Sequence, residues 1–162
     1  MLQALQNASV VTDVHKKQIV NNGGPPDVQA IVKSLGVKSK NKDATIAKLS
    51  SGITLISKPS KLHVPAWQMV SALLDGASLR TATWWKDPKI SSTRKNSEIA
   101  CWSDSLGKPG NVDIALSGSW HGKDFGLTGG LGANYNHAKI GVSTDKDKHF
   151  AIFGDIDRKS VV

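Results

Sequence analysis

Two apolar, β-forming runs near the end of the chain constrain its fold most. HAKIGVS (137–143) and HFAIFG (149–154) are separated by TDKDK, whose Asp and Lys residues suit an exposed turn. Two such runs joined by so short a connection predict adjacent antiparallel strands. Any fold assigned to this chain must therefore contain a β-sheet that holds this strand pair.

Shorter patterns upstream predict helices interleaved with further strands. The segment after Pro25 repeats apolar residues at helical spacing and closes at Gly36, and a second helical pattern runs from Pro65 to Gly76. Strands are predicted at 53–57, 79–85, 98–103 and 112–117, and loops at 37–48, 86–97 and the glycine-rich, site-lining 117–135. The resulting prediction is an α/β fold, a mixed β-sheet flanked by helices.

Length and composition set the remaining limits. The 162 residues suit one ordinary core, and we expect an N-terminal, partly helical segment over 1–50 before the main domain at 51–162. No signal peptide or membrane-spanning run is visible, so no membrane is predicted and the compartment stays open. One cysteine and no Cys/His cluster predict neither an internal disulfide nor a metal. The formal charge of +8 predicts a polyanionic partner, although a basic surface can also serve solubility alone.

The pattern His-x-Lys occurs three times, beginning at His15, His121 and His137. In a strand, residues two apart project from one face, so an imidazole and an ammonium group share a site. A neutral imidazole can attack phosphorus, and a fixed positive charge stabilises the oxygens of the transition state. Only the copy formed by His137 and Lys139 begins a predicted strand, which makes it the candidate for phosphoryl transfer.

The context of this third copy is specific. NHAKIGVS is followed by a turn and by HFAIFGDIDR, so that a strand ends in Gly154, Asp155, Asp157 and Arg158. This arrangement resembles the C-terminal catalytic segment of the deoxyribonuclease II family, in which a His-x-Lys strand precedes a strand ending in Gly-Asp-x-Asn-Arg. That family belongs to the phospholipase D-like superfamily. The resemblance covers about residues 135–158, with a looser similarity in element order upstream.

The resemblance implies a metal-independent, cofactor-free endonuclease that hydrolyses DNA phosphodiesters and leaves 3′-phosphates. In this reading His137 is the catalytic nucleophile that forms a phosphohistidine, Lys139 binds the phosphate, and Asp157 and Arg158 bind substrate. Asp157 stands where the family has asparagine, and an ionised carboxylate can only accept hydrogen bonds. The implied acidic optimum fits histidine chemistry, because histidine side chains titrate near pH 6.5.

Family members carry two His-x-Lys halves, one histidine attacking phosphorus and the other protonating the leaving oxygen. This chain shows one catalytic half with strand context, so we expect a homodimer in which two copies of His137 face each other. The alternatives are an inactive, truncated relative of a nuclease and a non-catalytic basic DNA-binding module. Cleavage of phospholipid headgroups ranks last, because no amphipathic membrane-seeking segment is visible.

The remaining candidates support the same site. Trp120, beside the glycine-rich loop, is expected to line the site and stack on DNA bases. Trp67, Trp85 and Trp102 are expected in the interior. Asp145, Asp155 or Asp157 is expected to orient the imidazole, and the sequence leaves the choice among the three open.

Overall fold

The computed structural model describes residues 25–34, 41–59, 61–84, 90–130, 132 and 135–154. The chain divides into two compact units, Met1–Leu62 and His63–Val162. Residue 50, where the sequence places the end of an N-terminal segment, lies in a turn between two paired strands of the first unit. The division between the units follows that strand pair instead of preceding it.

The first unit contains helix α1 (Pro26–Ser34) and an antiparallel pair formed by β1 (Thr45–Lys48) and β2 (Thr54–Ser57). The expected helix after Pro25 and the strand within 53–57 are confirmed. The loop expected over 37–48 is wrong at its end, because β1 occupies its last four residues. The lysine-rich sequence favoured a loop in the prediction. In β1, however, every second residue is exposed, and Lys48 occupies one of these exposed positions.

The second unit holds the elements that form the candidate site. In its described part these are α2 (Ala66–Leu73), β3 (Leu79–Thr83), a 3-10 turn (Asp104–Leu106), β4 (Val112–Ile114), β5 (Ser117–Trp120), β6 (Lys123–Gly126), β7 (Lys139–Ser143) and β8 (Ala151–Phe153). The predicted helix after Pro65 and the predicted strand at the start of 79–85 are confirmed.

Four strands form a mixed sheet in the order β4-β3-β7-β8. Strands β3 and β4 are parallel, whereas β7 runs antiparallel to both β3 and β8. The predicted antiparallel pairing of the two C-terminal runs is confirmed, with Ile140 opposite Phe153. Strand β7 also pairs with β3, where Lys139 lies opposite Thr83, and this pairing joins the two C-terminal strands to the earlier part of the second unit.

Helix α2 lies against one face of this sheet. Its Trp67 and Met69 are buried, as are Leu79 of β3 and Val112 of β4. The sheet admits the indole because β7 has a glycine at the contact, where a methyl group on Gly141 would lie 3.0 Å from a ring carbon of Trp67. Burial of these large apolar groups is the main favourable contribution to the stability of the unit.

The opposite face of the sheet is exposed at its β7–β8 side. Ile140, Val142 and Phe153 are 48%, 51% and 84% exposed. Side chains alternate between the two faces along β3: Leu79, Thr81 and Thr83 are buried on the α2 side, and the residues between them lie on this second face. Of the flanking helices that the sequence predicts, the described part of the second unit has α2, which packs on one face of the sheet.

Two predicted segments are wrong. No strand forms at 98–103, because a turn at residues 100 and 101 interrupts the segment: Cys101 has a positive φ of 60°, and the Trp102 N–H donates to Ile99 O across the turn. The glycine-rich segment 117–135, expected to be irregular, begins with the β5–β6 hairpin. Gly122 has a φ of 74° and permits the two-residue turn that closes this hairpin.

Candidate functional site

The strand ends gather several chemical groups at one edge of the four-stranded sheet. The carboxyl ends of the parallel strands β3 and β4 lie at this edge, and the antiparallel β7 begins there. Strand β8 ends there as well, because Gly154 follows it directly and donates its N–H to Lys139 O at 2.8 Å. The carboxyl ends of parallel strands are a common location for ligand sites in α/β proteins.

Lys139 is the first residue of β7 and is half-buried. It lies opposite Thr83 in the sheet, so its backbone is held by a central strand. Its Nζ donates to the backbone oxygen of His137 at 3.3 Å. An ammonium group has three donors, so this single hydrogen bond leaves Nζ able to bind a phosphate oxygen.

His137 precedes the strand instead of lying in it. The prediction that both side chains project from one strand face is therefore wrong, because β7 begins at Lys139. The imidazole is exposed and its Nε2 lies 3.2 Å from Gly132 O. A carbonyl oxygen only accepts, so this contact is a hydrogen bond when Nε2 carries a proton, and the tautomer of the uncharged imidazole that fits it has its lone pair on Nδ1.

Asn136 fixes the backbone that carries His137. Its Nδ2 donates to Thr83 O at 2.9 Å and to Leu127 O at 3.3 Å, and its Oδ1 accepts the Ala138 N–H at 2.9 Å. The side chain thus ties the β7 entry to the end of β3 and to the base of the β5–β6 hairpin. Sequence analysis missed Asn136, although asparagine next to a strand start commonly bonds to local backbone.

The glycine-rich segment after the hairpin is packed at Gly130. Gly130 is buried, its carbonyl accepts the Trp84 Nε1–H at 3.1 Å, and the Tyr135 ring lies against its backbone. A little further along, Gly132 provides the carbonyl that contacts His137. The segment therefore serves to hold the imidazole, although it lacks the residues of a phosphate-binding loop.

Asp145 lies at the other end of β7 and is engaged elsewhere. Its Oδ2 accepts the Ser78 backbone N–H at 2.6 Å. This hydrogen bond holds the pKa of the carboxyl below its usual range, assisted by the Ser78 hydroxyl and by the charges of Lys148 and Lys95, against a smaller opposing effect of burial. Four residues of strand separate Asp145 from the Lys139 end, so the structure does not bring Asp145 to the imidazole of His137.

The remaining tryptophans divide between interior and surface. Trp67 is buried as predicted, whereas Trp102 is half-buried with its Nε1 donating to Gly107 O. Trp120 ends β5 and is 71% exposed. Its ring packs edge-to-face with His121, with centroids 4.9 Å apart. The second His-x-Lys copy therefore forms the tip of a hairpin and places its imidazole against an indole.

Several predicted site residues lie outside the described residues: Asp155, Asp157, Arg158, Trp85, and the His15–Lys17 copy. Within the described ranges, no three His, Cys, Asp or Glu side chains are arranged to hold a metal ion. No helix in the same ranges has the length and apolar character needed to cross a membrane.

Comparison with known proteins gave no relative. A scan against protein-family models, a search of curated proteins and a search of solved structures each found no match to this chain. The second unit stands as a mixed α/β structure whose site is defined by its own geometry.

Proposed function

We propose that this chain is an endonuclease that hydrolyses DNA phosphodiester bonds through a phosphohistidine at His137, on a phospholipase D-like half-domain. The proposal is carried by one observation: the His137 backbone oxygen contacts Lys139 Nζ, and the Lys139 backbone oxygen accepts the N–H of Gly154. The histidine, the lysine and the start of the Gly-Asp-x-Asp-Arg segment thereby meet at one sheet edge.

The geometry of His137 supports attack on phosphorus. Gly132 O holds Nε2, and Nδ1 makes no hydrogen bond to the described part of the chain. In the first step the Nδ1 lone pair forms a bond to phosphorus as the bond from phosphorus to the 5′ oxygen breaks. The leaving oxygen takes a proton from a second histidine, and Lys139 stabilises the charge on the non-bridging oxygens.

The second step regenerates the protein. The histidine that gave its proton is now neutral and removes a proton from water, whose oxygen bonds to phosphorus as the nitrogen–phosphorus bond breaks. The products are a free His137 and a DNA strand ending in a 3′-phosphate. One histidine must be neutral while the other is protonated, so the rate is expected to be highest on the acidic side of neutrality.

The second histidine comes from a second copy of the chain. Two copies related by a twofold axis would present two identical imidazoles to one phosphate. Cleavage is then a property of the dimer, and specific activity should fall when the protein is diluted below its dimer dissociation constant. Light scattering at the same concentrations gives the oligomeric state independently.

A non-catalytic DNA-binding module is the second candidate. It is favoured by the exposure of Trp120 and by the formal charge of +8, neither of which requires any chemistry at His137. Such a module binds DNA with an affinity that falls steeply as salt rises, and it leaves the strands intact.

One experiment separates the two functions. Supercoiled plasmid is incubated with the full chain at about pH 5 in excess chelator. The nicked product is then given to a DNA polymerase with and without prior phosphatase treatment, because a 3′-phosphate blocks extension until it is removed. Nicks with 3′-phosphate ends support the nuclease. Salt-sensitive binding without nicks contradicts the nuclease and supports the module.

A further inference from the structure

The β5–β6 hairpin presents an exposed aromatic face that the proposed chemistry does not use. Every residue of β6 is exposed, and so are three of the four residues of β5. The hairpin closes through His121 and Gly122, both with positive φ, which is the geometry of a tight two-residue turn. Its base is held by the hydrogen bond from Leu127 N to Leu116 O.

The cross-strand register sorts the hairpin side chains onto two faces. Trp120 lies opposite Lys123, and Gly118 lies opposite Phe125, so Trp120, Lys123 and Phe125 share one face. We call these three residues the hairpin platform. On the other face Ser119 lies opposite Asp124 and Ser117 lies opposite Gly126, so that face carries no apolar side chain.

Both aromatic rings of the hairpin platform leave area open for a flat ligand. Trp120 is 71% exposed, and its edge-to-face contact with His121 occupies at most one side of the indole. Phe125 is 47% exposed and lies over the bare backbone of Gly118, where a methyl group would stand 2.7 Å from the ring. A side chain at residue 118 would displace this ring.

We propose that the hairpin platform binds unpaired bases of single-stranded DNA. Two exposed rings on one face match the stacking of successive bases, and Lys123 between strand and turn supplies a positive charge for the phosphate. The choice of DNA rests on the proposed function, whereas the stacking itself requires no cleavage. The hairpin platform would direct the site towards frayed or single-stranded segments, because paired bases do not expose their faces.

The arrangement favours nucleic acid over a lipid surface. The aromatic rings lie on the side of the hairpin, while its tip consists of His121 and Gly122. Entry of the tip into a bilayer would also bury Asp124 on the opposite face, which is costly for a carboxylate without a partner. A base stacking from the side leaves Asp124 in water.

The test measures binding without cleavage in the 162-residue chain carrying His137→Ala. Fluorescence anisotropy gives the affinity for a short single-stranded oligonucleotide and for a duplex of the same sequence. Trp120→Ala is expected to weaken single-strand binding about 10- to 100-fold and duplex binding less than about threefold. Ser119→Ala, on the other face of the same hairpin, is the matched control and should leave both affinities within about twofold.

Two further variants guard against simple unfolding of the hairpin. Trp120→Phe keeps a ring and should retain most of the single-strand affinity, and Lys123→Gln should reduce the salt slope by about one. Equal losses for single strand and duplex, or a similar loss with Trp120→Phe and Trp120→Ala, would overturn the proposal.

The outcome is independent of catalysis. If wild-type protein nicks plasmid but Trp120→Ala leaves single-strand binding unchanged, the nuclease proposal stands and the hairpin platform is refuted. Protein that never nicks plasmid but shows the expected preference for single strands would refute the nuclease and support the hairpin platform. Binding to vesicles of phosphatidylserine and phosphatidylcholine is measured with the same variants. If Trp120→Ala weakens vesicle binding more than it weakens DNA binding, the hairpin platform is refuted in favour of a lipid surface.

Discussion

Two copies of one three-residue pattern occupy very different structures in this molecule. His121-x-Lys123 forms the tip of an exposed hairpin, with a φ of 47° at the histidine and an imidazole packed on Trp120. His137-x-Lys139 enters a central strand, with the imidazole held by Gly132 O and the lysine backbone held by β3 and Gly154.

The difference shows that spacing alone does not define a site. In the hairpin the histidine lies in the two-residue turn and the lysine begins the strand after it, so their positions depend on two exposed strands. At the sheet edge the same residues are fixed by contacts with three separate parts of the chain. Catalysis by positioned groups requires this second kind of support, because small displacements of the reacting atoms reduce rates steeply.

The largest expected difference between the two copies is in cleavage. His137→Ala removes the proposed nucleophile and should lower plasmid nicking by about 10³-fold or more. His121→Ala should lower it by no more than about threefold. Rates of nicking at about pH 5 measure both, and His149→Ala, an exposed histidine at the far end of the sheet, is the matched control. A loss confined to His121→Ala would assign the chemistry to the hairpin.

The lysine of the sheet edge should show the next largest effect. Lys139→Ala removes the charge that is proposed to stabilise the transition state, so cleavage should fall about 10²- to 10³-fold with little change in the melting temperature. Lys146→Ala, in the exposed turn at the other end of β7, should stay within about twofold of wild type. Similar losses in both variants would indicate general attraction of DNA by positive charge.

Support of the imidazole can be weakened without touching it. Asn136→Ala leaves Thr83 O and the Ala138 N–H without their hydrogen bonds and should reduce the free energy of unfolding by about 1–3 kcal/mol. Cleavage should fall as well, because the backbone of His137 loses its clamp. Urea unfolding curves measure the stability. Unchanged stability with normal cleavage would show that the sheet edge does not depend on this clamp.

The smallest effect is expected at the opposite end of β7. Asp145→Ala removes the acceptor of the Ser78 N–H, and because this carboxyl is only partly buried the loss should be about 1 kcal/mol at neutral pH. The folded state lowers the pKa of Asp145, so its contribution is complete above the unfolded value of about 3.9 and is lost as pH falls through the lowered folded value.

Unfolding curves at several pH values therefore provide the check. The difference between wild type and Asp145→Ala should shrink towards zero in strong acid. A difference that grows on acidification would contradict the assigned direction of the pKa shift. Cleavage per folded molecule should stay near the wild-type value, because Asp145 does not contact His137.

Sequence reasoning succeeded where a pattern is local and one face is buried. Helix α2 and strand β3 were predicted because their buried side chains repeat at helical and strand spacing. Strands β5 and β6 escaped prediction because they are exposed and carry no apolar alternation. Their register comes from a two-residue turn instead.

The sequence could propose candidate residues for the site, but it could not predict their contacts. The His-x-Lys pattern led to His137 and Lys139, yet Gly132 and Asn136 hold the imidazole through backbone and side-chain hydrogen bonds that no pattern encodes. Asp145 was a reasonable candidate to orient the imidazole until its partner appeared at Ser78, 67 residues away in the chain. Such non-local pairings depend on the completed sheet.

A covalent adduct on His137 is the most direct test of the nuclease mechanism. Protein quenched with base during DNA cleavage, since phosphohistidine is labile in acid, is digested and its peptides are examined by mass spectrometry. We expect a phosphoryl-linked nucleotide on the peptide that contains His137, and its absence from the Lys139→Ala protein at the same time point. Active cleavage with no adduct on His137, or with an adduct on His121 instead, would contradict this mechanism.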